Sequence, residues 1–373
     1  MNNVDLLFHK IDEGRAGKNV GLETGIPKLD QITGGVQKGV YTLIFGLSGS
    51  GKSSLALYCY IYRPLKDHPE KDLKYIYFSL EMSAEILLAK LLCLWIYDEF
   101  KVIIPYSSVM SWRTPLPDEY YKYLIAGRDW LNSICDKLII IDTSLTSKVF
   151  YSKIMTYLEQ WGTFEESEDG RRKIYVKKNP AQFVGVVVDH ISLCNPLPGN
   201  TKKQEIDLIS QYCVGLRERC GVSFYILQQE NRNSASAEKI KLDMTDCSLD
   251  GLKDSGNPSN DSELCIGVYC PLKFKVKTKG GYPIVTEDNG NGFTGFRDRI
   301  RFLQIIKNRY GESDRAIPVA FFGENGYFKQ LPKYEEMLNP ILYTNLLSFP
   351  NPEEEDKKES EDSGSKKEII FKF

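Results

Sequence analysis

Five short apolar runs set the pattern of this chain: residues 41–45 (YTLIF), 75–80 (YIYFSL), 138–142 (LIIID), 184–189 (VGVVVD) and 222–227 (VSFYIL). Each is nearly continuous and of strand length, without polar alternation, as a strand covered on both faces requires. Helical patterns lie between most of them, such as residues 84–97 and 205–220. Strands alternating with helices predict an α/β fold with a mainly parallel central sheet flanked by helices. Three polar stretches, 161–180, 228–262 and 273–299, interrupt this plan and read as long loops or insertions.

The two ends differ from the middle. Residues 3–14 (NVDLLFHKIDEG) put Val4, Leu7, Phe8 and Ile11 on one helical face. This reads as a packing helix or as a helix that docks on a neighbouring subunit. A glycine-rich stretch, 21–39, leads into the first strand. From Pro350 the chain runs through EEEDKKESEDSGSKK and closes on EIIFKF. The charge run reads as a solvated tail. Ile369, Ile370, Phe371 and Phe373 at its end read as a docking peptide for another protein, or as an edge strand that packs back.

Composition narrows the function classes. The net charge of −2 over 373 residues leaves no global basic signature, so any nucleic-acid binding must use a local surface. Nine cysteines without a C-x-x-C pair and three isolated histidines argue against a zinc site or a disulfide framework. No apolar run approaches the ~18 residues of a membrane span, and the start lacks a signal-peptide pattern. The expected location is the cytoplasm of a bacterium or an infected host cell, with no membrane partner.

The chemistry begins at residues 46–53, GLSGSGKS, a full match to G-x-x-x-x-G-K-S between an apolar strand and a helical start. Gly46, Leu47, Ser48, Gly49, Ser50, Gly51, Lys52, Ser53 and Ser54 then form a loop whose N–H groups face phosphate, aided by the helix dipole. Lys52 would reach the β- and γ-phosphates, and the Ser53 hydroxyl would ligate Mg²⁺. Asp189 ends an apolar strand, at the edge where ligands sit, and is the natural Walker-B acid, holding Mg²⁺ directly or through water. Glu81 follows another strand and is a candidate base for the attacking water, or a cap for the next helix. The Gln229 amide could sense the γ-phosphate. Lys307 and Arg309 follow the run 302–306 (FLQII), and alternation puts both on one face. They read as solvated edge cations or, in a ring, as cations that reach the ATP of the adjacent subunit.

In order and wording, seven segments resemble the RecA-like motor domain of DnaB-type replicative helicases, in a phage-type form lacking the N-terminal primase-interacting domain. They are TGIPKLDQITGGVQKG (24–39), GLSGSGKSS (46–54), SLEMS (79–83), VVVDHISL (186–193), LQQENR (227–232), LKDSG (252–256) and KNRYG (307–311). The resemblance implies a RecA-like P-loop NTPase fold and a homohexameric ring. It implies that the ring uses ATP and Mg²⁺ to move 5′ to 3′ on single-stranded DNA. Lys52 and Ser53 would bind phosphate and metal, Glu81 would be the base and Asp189 the Walker-B acid. Gln229 would couple nucleotide state to DNA, and Lys307 and Arg309 would act in trans. LKDSG is similar to the family's Arg-Glu-Ser-Gly loop, making Lys253, Asp254 and Gly256 candidate DNA contacts. Lys253 keeps the charge of the usual arginine without its bidentate fork. Lys202 and Lys203 of the loop 195–203 would add to them. Primase, polymerase or a loader would engage the tail.

The departures are His190 in place of the usual aromatic, which reads as a structural or sensor residue, and the long 161–180 and 273–299 stretches. The implied division is a docking helix or linker (1–20), the ATPase motor (21–335) and the acidic tail (336–373). Other readings are a RecA-type recombinase or regulatory ATPase, and a non-motor, ATP-switched replication assembly factor. A nucleotide kinase fits least, for want of a lid with clustered arginines.

Overall fold

The computed structural model describes residues 3–17, 19–166, 173–231, 238, 240, 245–276, 278–284 and 298–332. The tail expected over 336–373 lies outside the described residues. The first helix, α1 (Asn3–Arg15), forms where the amphipathic pattern places it, with Leu7, Phe8 and Ile11 between 44 and 60 % exposed. Its apolar face is therefore turned to solvent. The glycine-rich stretch that follows holds a short helix, α2 (Pro27–Thr33), closed by Gly34 in the left-handed region at φ 75°.

All five predicted apolar runs are strands of one sheet: β1 (Tyr41–Gly46), β2 (Leu73–Ser79), β3 (Leu138–Ile141), β6 (Phe183–Asp189) and β7 (Ser223–Gln229). Between β3 and β6 lies a separate two-stranded ribbon, β4 (Gly162–Glu166) with β5 (Lys173–Lys177). After β7 come β8 (Leu264–Tyr269), the small pair β9 (Thr278–Lys279) and β10 (Tyr282–Pro283), then β11 (Ile300–Asn308), β12 (Arg315–Phe322) and β13 (Tyr327–Gln330). The main sheet has nine strands in the order β13-β12-β11-β8-β1-β7-β6-β2-β3. From β8 through β3 every pairing is parallel, and β11, β12 and β13 extend it antiparallel.

Burial on both faces explains the continuous runs. Leu43, Phe45, Phe78, Val186, Val188, Phe224 and Ile226 pack against the helices Ser147–Trp161 and Lys202–Cys220. Their strand neighbours Ile44, Tyr75, Tyr77, Val187, Tyr225 and Leu227 face Leu55, Leu87, Leu91 and Leu94 on the other side. Each such side chain contributes about 1.5–3 kcal/mol through burial. Helix Lys202–Cys220 is bounded as its sequence directs. Thr201 and Gln204 form a capping box, and Gly221 ends it at φ 65°.

Several expectations change. Of the two readings of 161–180, the described part is an insertion rather than a loop: Trp161 closes a helix, and the ribbon β4–β5 follows, pinned by Tyr175, whose hydroxyl donates to Leu158 O at 3.0 Å. Within 273–299, the described part holds the end of a 3-10 turn (Pro271–Phe274) and the pair β9–β10. The described part of 228–262 includes the helix Asn257–Asp261. The helix after the phosphate loop is not uniform. It runs Lys52–Ala56, then a π-helical turn Leu57–Tyr62, then Arg63–Asp67. The widened turn falls where the helix is buried all round, through Tyr58, Tyr60 and Tyr62.

Candidate nucleotide-binding site

Register fixes the site. Ser79 pairs with Asp189 and Gly46 with Gln229, so the carboxyl ends of β2, β6, β7 and β1 lie level at one sheet edge. The phosphate loop leaves β1 there. Gly46 sits at φ 150°, and a Cβ on it would stand 2.6 Å from Val268 O. A side chain at this position would push β1 away from β8. Lys52 is buried and folds back over the loop, its Nζ donating to the carbonyls of Gly46 at 3.1 Å and Leu47 at 2.9 Å. Burial lowers its pKa to about 8, against the opposing charges of Asp189 and Glu81. The ammonium is thus held over the loop in a place where phosphate would restore its full charge.

Ser53 and Asp189 meet beside it. The Ser53 hydroxyl donates to Asp189 Oδ1 and the Tyr77 hydroxyl to Oδ2, both at 2.9 Å. Burial raises the Asp189 pKa, and these two hydrogen bonds oppose the rise. A hydroxyl and a carboxylate at this spacing are hard oxygen donors of the type Mg²⁺ selects. Among the described residues no cluster of three or more His, Cys, Asp or Glu could cage a metal. The donor set therefore fits an ion shared with nucleotide phosphates and water rather than a protein-only site.

Glu81 stands just past β2 and is exposed. The capping alternative finds no support. Ala84 N, at the start of the next helix, donates instead to Asp142 Oδ2 at 3.2 Å. The Glu81 carboxylate is close enough to act electrostatically on Lys52, Asp189 and Tyr77.

Gln229 links the edge to the segment LKDSG. Its Nε2 lies 3.2 Å from His190 Nε2, and its carbonyl accepts from Lys253 N at 2.9 Å. Gln228 Nε2 donates to the carbonyls of Lys253 at 2.6 Å and Ser255 at 2.7 Å. His190 is buried, and burial, then the charges of Lys52 and Lys253, lower its pKa to about 4. It is neutral at pH 7. Lys253, Asp254 and Lys202 all act electrostatically on His190, so these predicted DNA contacts converge around it. Asp254 is left-handed at φ 71°, and Gly256 caps the helix Asn257–Asp261. Lys202 Nζ donates to Ser192 O at 2.7 Å, while Lys203 pairs with Asp207 at 3.7 Å.

Lys307 and Arg309 lie elsewhere. Strand β11 runs antiparallel to β8, with Asn308 paired to Leu264, which puts both cations at the amino edge of the sheet. Lys307 Nζ donates to Ser259 O and Asn260 O at 2.8 and 3.0 Å. Arg309 donates to Glu263 and to Asn260 O, each at 3.2 Å. Both donate to Asn260 O, with Arg309 just past the end of β11, yet a strand length of about 20 Å separates them from Lys52 in the same chain.

The sequence assigns no role to three residues of the site. Tyr77 is one more apolar-run position until its hydroxyl meets Asp189. Glu230 is buried, its N bonded to Gly46 O at 3.0 Å and its carboxylate to Ser248 N at 3.1 Å. Arg301, 2 % exposed, donates from Nε to Ser50 O at 2.9 Å and so braces the loop from β11. Only the unusual arginine within an apolar strand signals it.

A sheet edge with a phosphate loop, a neighbouring acid and an amide on the strand between them defines a RecA-like P-loop NTPase domain. Residues 21–102 match the family model of the DnaB-like helicase C terminal domain. The replicative DNA helicase DnaB of Mycoplasma genitalium is 21% identical over 271 residues, 72% of this chain and 50% of that protein. The one from Rhodothermus marinus is 39% identical over 79 residues, 21% of this chain and 8% of that protein. The chain thus spans about half the length of the first of these relatives and less of the second. Among solved structures, one described as an ATPase domain covers 89% of this chain and all of its own, with TM-score 0.64 and 18% identity. A DnaB-like replicative helicase, described with its interactions with primase, gives TM-score 0.63 and 19% identity over 89% of this chain and 67% of its own. These likenesses bear out the RecA-like fold. Among the described residues no helix is long and apolar enough to cross a membrane.

Proposed function

We propose that this chain is an ATP-dependent replicative DNA helicase that works as a homohexameric ring on single-stranded DNA. The observation that carries this reading is the split between the sheet edges. Lys52, Ser53 and Asp189 lie at the carboxyl edge, Lys307 and Arg309 at the amino edge. Hydrolysis needs a phosphate cradle and a cation for transition-state charge. In this fold the cradle and the Lys307/Arg309 pair could meet only between copies.

In the working site Lys52 would hold the β- and γ-phosphates, and Ser53 and Asp189 would hold Mg²⁺. Mg²⁺ supplies neutralisation of charge on the phosphate oxygens. Glu81 orients and deprotonates the attacking water. Lys307 and Arg309 of the adjacent subunit exchange their carbonyl partners, and Arg309 also its Glu263 carboxylate, for the γ-phosphate. Loss of that phosphate reaches Gln229, and through His190 and the Lys253 backbone it shifts Lys253, Asp254 and Gly256, with Lys202 and Lys203, against the strand. Residues 1–20 dock on a neighbour, 21–335 are the motor, and the tail 336–373 recruits primase, polymerase or a loader. Polarity is 5′ to 3′ by resemblance, and the setting is the cytoplasm.

The test mixes two variants. Lys52→Ala and Arg309→Ala proteins each lose DNA-stimulated ATPase, and mixing them restores part of it along with fork unwinding. No recovery at any ratio would remove the shared site.

A further inference from the structure

The chain between β8 and β11 leaves the carboxyl edge beside the phosphate loop. It opens with the 3-10 turn Pro271–Phe274, anchored from below by buried Pro271 and Phe274. The Phe274 ring stacks on Tyr269 at 5.0 Å, and Lys273 N donates to Cys270 O at 3.1 Å. So held, the turn sends the exposed Lys273 side chain to the crest of the loop. A Cβ built on Gly49 would stand 3.1 Å from Lys273 Nζ. Because Gly49 has no side chain, nothing stands between that ammonium and the loop backbone.

The charge at this position lacks an internal purpose. Among the described residues Lys273 forms no ion pair, and its ammonium makes no hydrogen bond. Its neighbourhood is already electropositive, with Lys52 and the N–H groups of the loop. By contrast Arg301, reached through the same connection, spends its donors on backbone carbonyls, among them Ser50 O one residue beyond Gly49, and on the Asp298 carboxylate at 3.0 Å. One cation fixes the loop, and the other stands over it with its donors unused. An ammonium set there is offset only when a polyanion enters the loop.

Resting on the reading of 46–54 as a nucleotide loop, we propose that Lys273 is a second cation of the same subunit's site, contacting the polyphosphate of a nucleoside di- or triphosphate. Lys52 meets the phosphates from within the loop and Lys273 from outside it. A lysine suits this position because a point charge on a long stem can follow either terminal phosphate.

The experiment measures equilibrium binding of fluorescent ATP, ADP and AMP analogues, with Mg²⁺, to the full chain. Wild type, Lys273→Ala, Lys273→Arg and Lys52→Ala are compared at several salt concentrations. Lys273→Ala is expected to weaken ATP and ADP about tenfold, to leave AMP unchanged and to flatten the salt dependence. Lys273→Arg is expected to stay near wild type. Since the side chain is exposed, the unfolding midpoint of Lys273→Ala is expected to match wild type. Wild-type affinity for ATP in Lys273→Ala would overturn the assignment while leaving the loop reading intact. Failure of wild type to bind ATP, or full binding by Lys52→Ala, would overturn the loop reading and this assignment with it.

Discussion

Gln229 and His190 face each other across the carboxyl edge, Nε2 to Nε2 at 3.2 Å, while the carbonyl of the same glutamine holds Lys253 N at 2.9 Å. One residue therefore touches both His190, directly after Asp189 at the end of β6, and the segment proposed to grip DNA. The neutral imidazole can serve as acceptor to the amide, which protonation would prevent. His190→Ala is expected to keep basal ATPase within about threefold while abolishing its stimulation by single-stranded DNA. Paired hydrolysis assays with and without DNA check this, and retained stimulation would take His190 out of the relay.

Tyr77 donates to a carboxylate that is 1 % exposed. Removing that hydroxyl leaves Asp189 Oδ2 short of a partner inside the protein. Tyr77→Phe is expected to destabilise the fold by about 1–3 kcal/mol, read from the midpoint of urea unfolding. It is also expected to raise the Asp189 pKa further, since the lost hydrogen bond favours the ionised form.

Glu81 stands exposed beside Lys52 and Asp189 without capping the next helix. Glu81→Gln is expected to bind ATP as wild type does and to lose about 100-fold or more in turnover. Single-turnover hydrolysis separates the two effects. Normal turnover in this variant would assign the base elsewhere.

The apolar face of α1 shows Leu7 at 56 % and Phe8 at 60 % exposure. Replacing both with Asp is expected to leave the secondary structure unchanged and to shift the protein toward smaller assemblies. Light scattering after gel filtration reads the mass. An unchanged assembly would mean that α1 packs on its own subunit.

Much of this arrangement is legible in the residues because parallel strands covered on both faces leave unbroken apolar runs. YTLIF, VGVVVD and VSFYIL declare their strands, and the residue after each run marks the edge where chemistry collects. LCIGVY, now β8, has the same character but lies between polar stretches and carries a glycine. The outer strands β12 and β13 mix exposed with buried positions and give no continuous run. The ribbon β4–β5 is GTFEE against KIYVK, exposed at most positions, and so hides inside a stretch that reads as loop. Tyr77 and Lys273 are silent for a different reason. Their significance lies in contacts between segments far apart in sequence, which periodicity does not register.

The split between the two edges of the sheet has a consequence for how this protein behaves when scarce. In the proposed ring every chain carries two halves of a site, a cradle at one edge of the sheet and a pair of cations at the other. If these halves complete one another between copies, as proposed, catalytic output per chain rises steeply with concentration until neighbours are in place, and plateaus afterwards. On the proposed shared site, dilution alone silences the protein with no residue altered, and activity begins only where chains have been gathered.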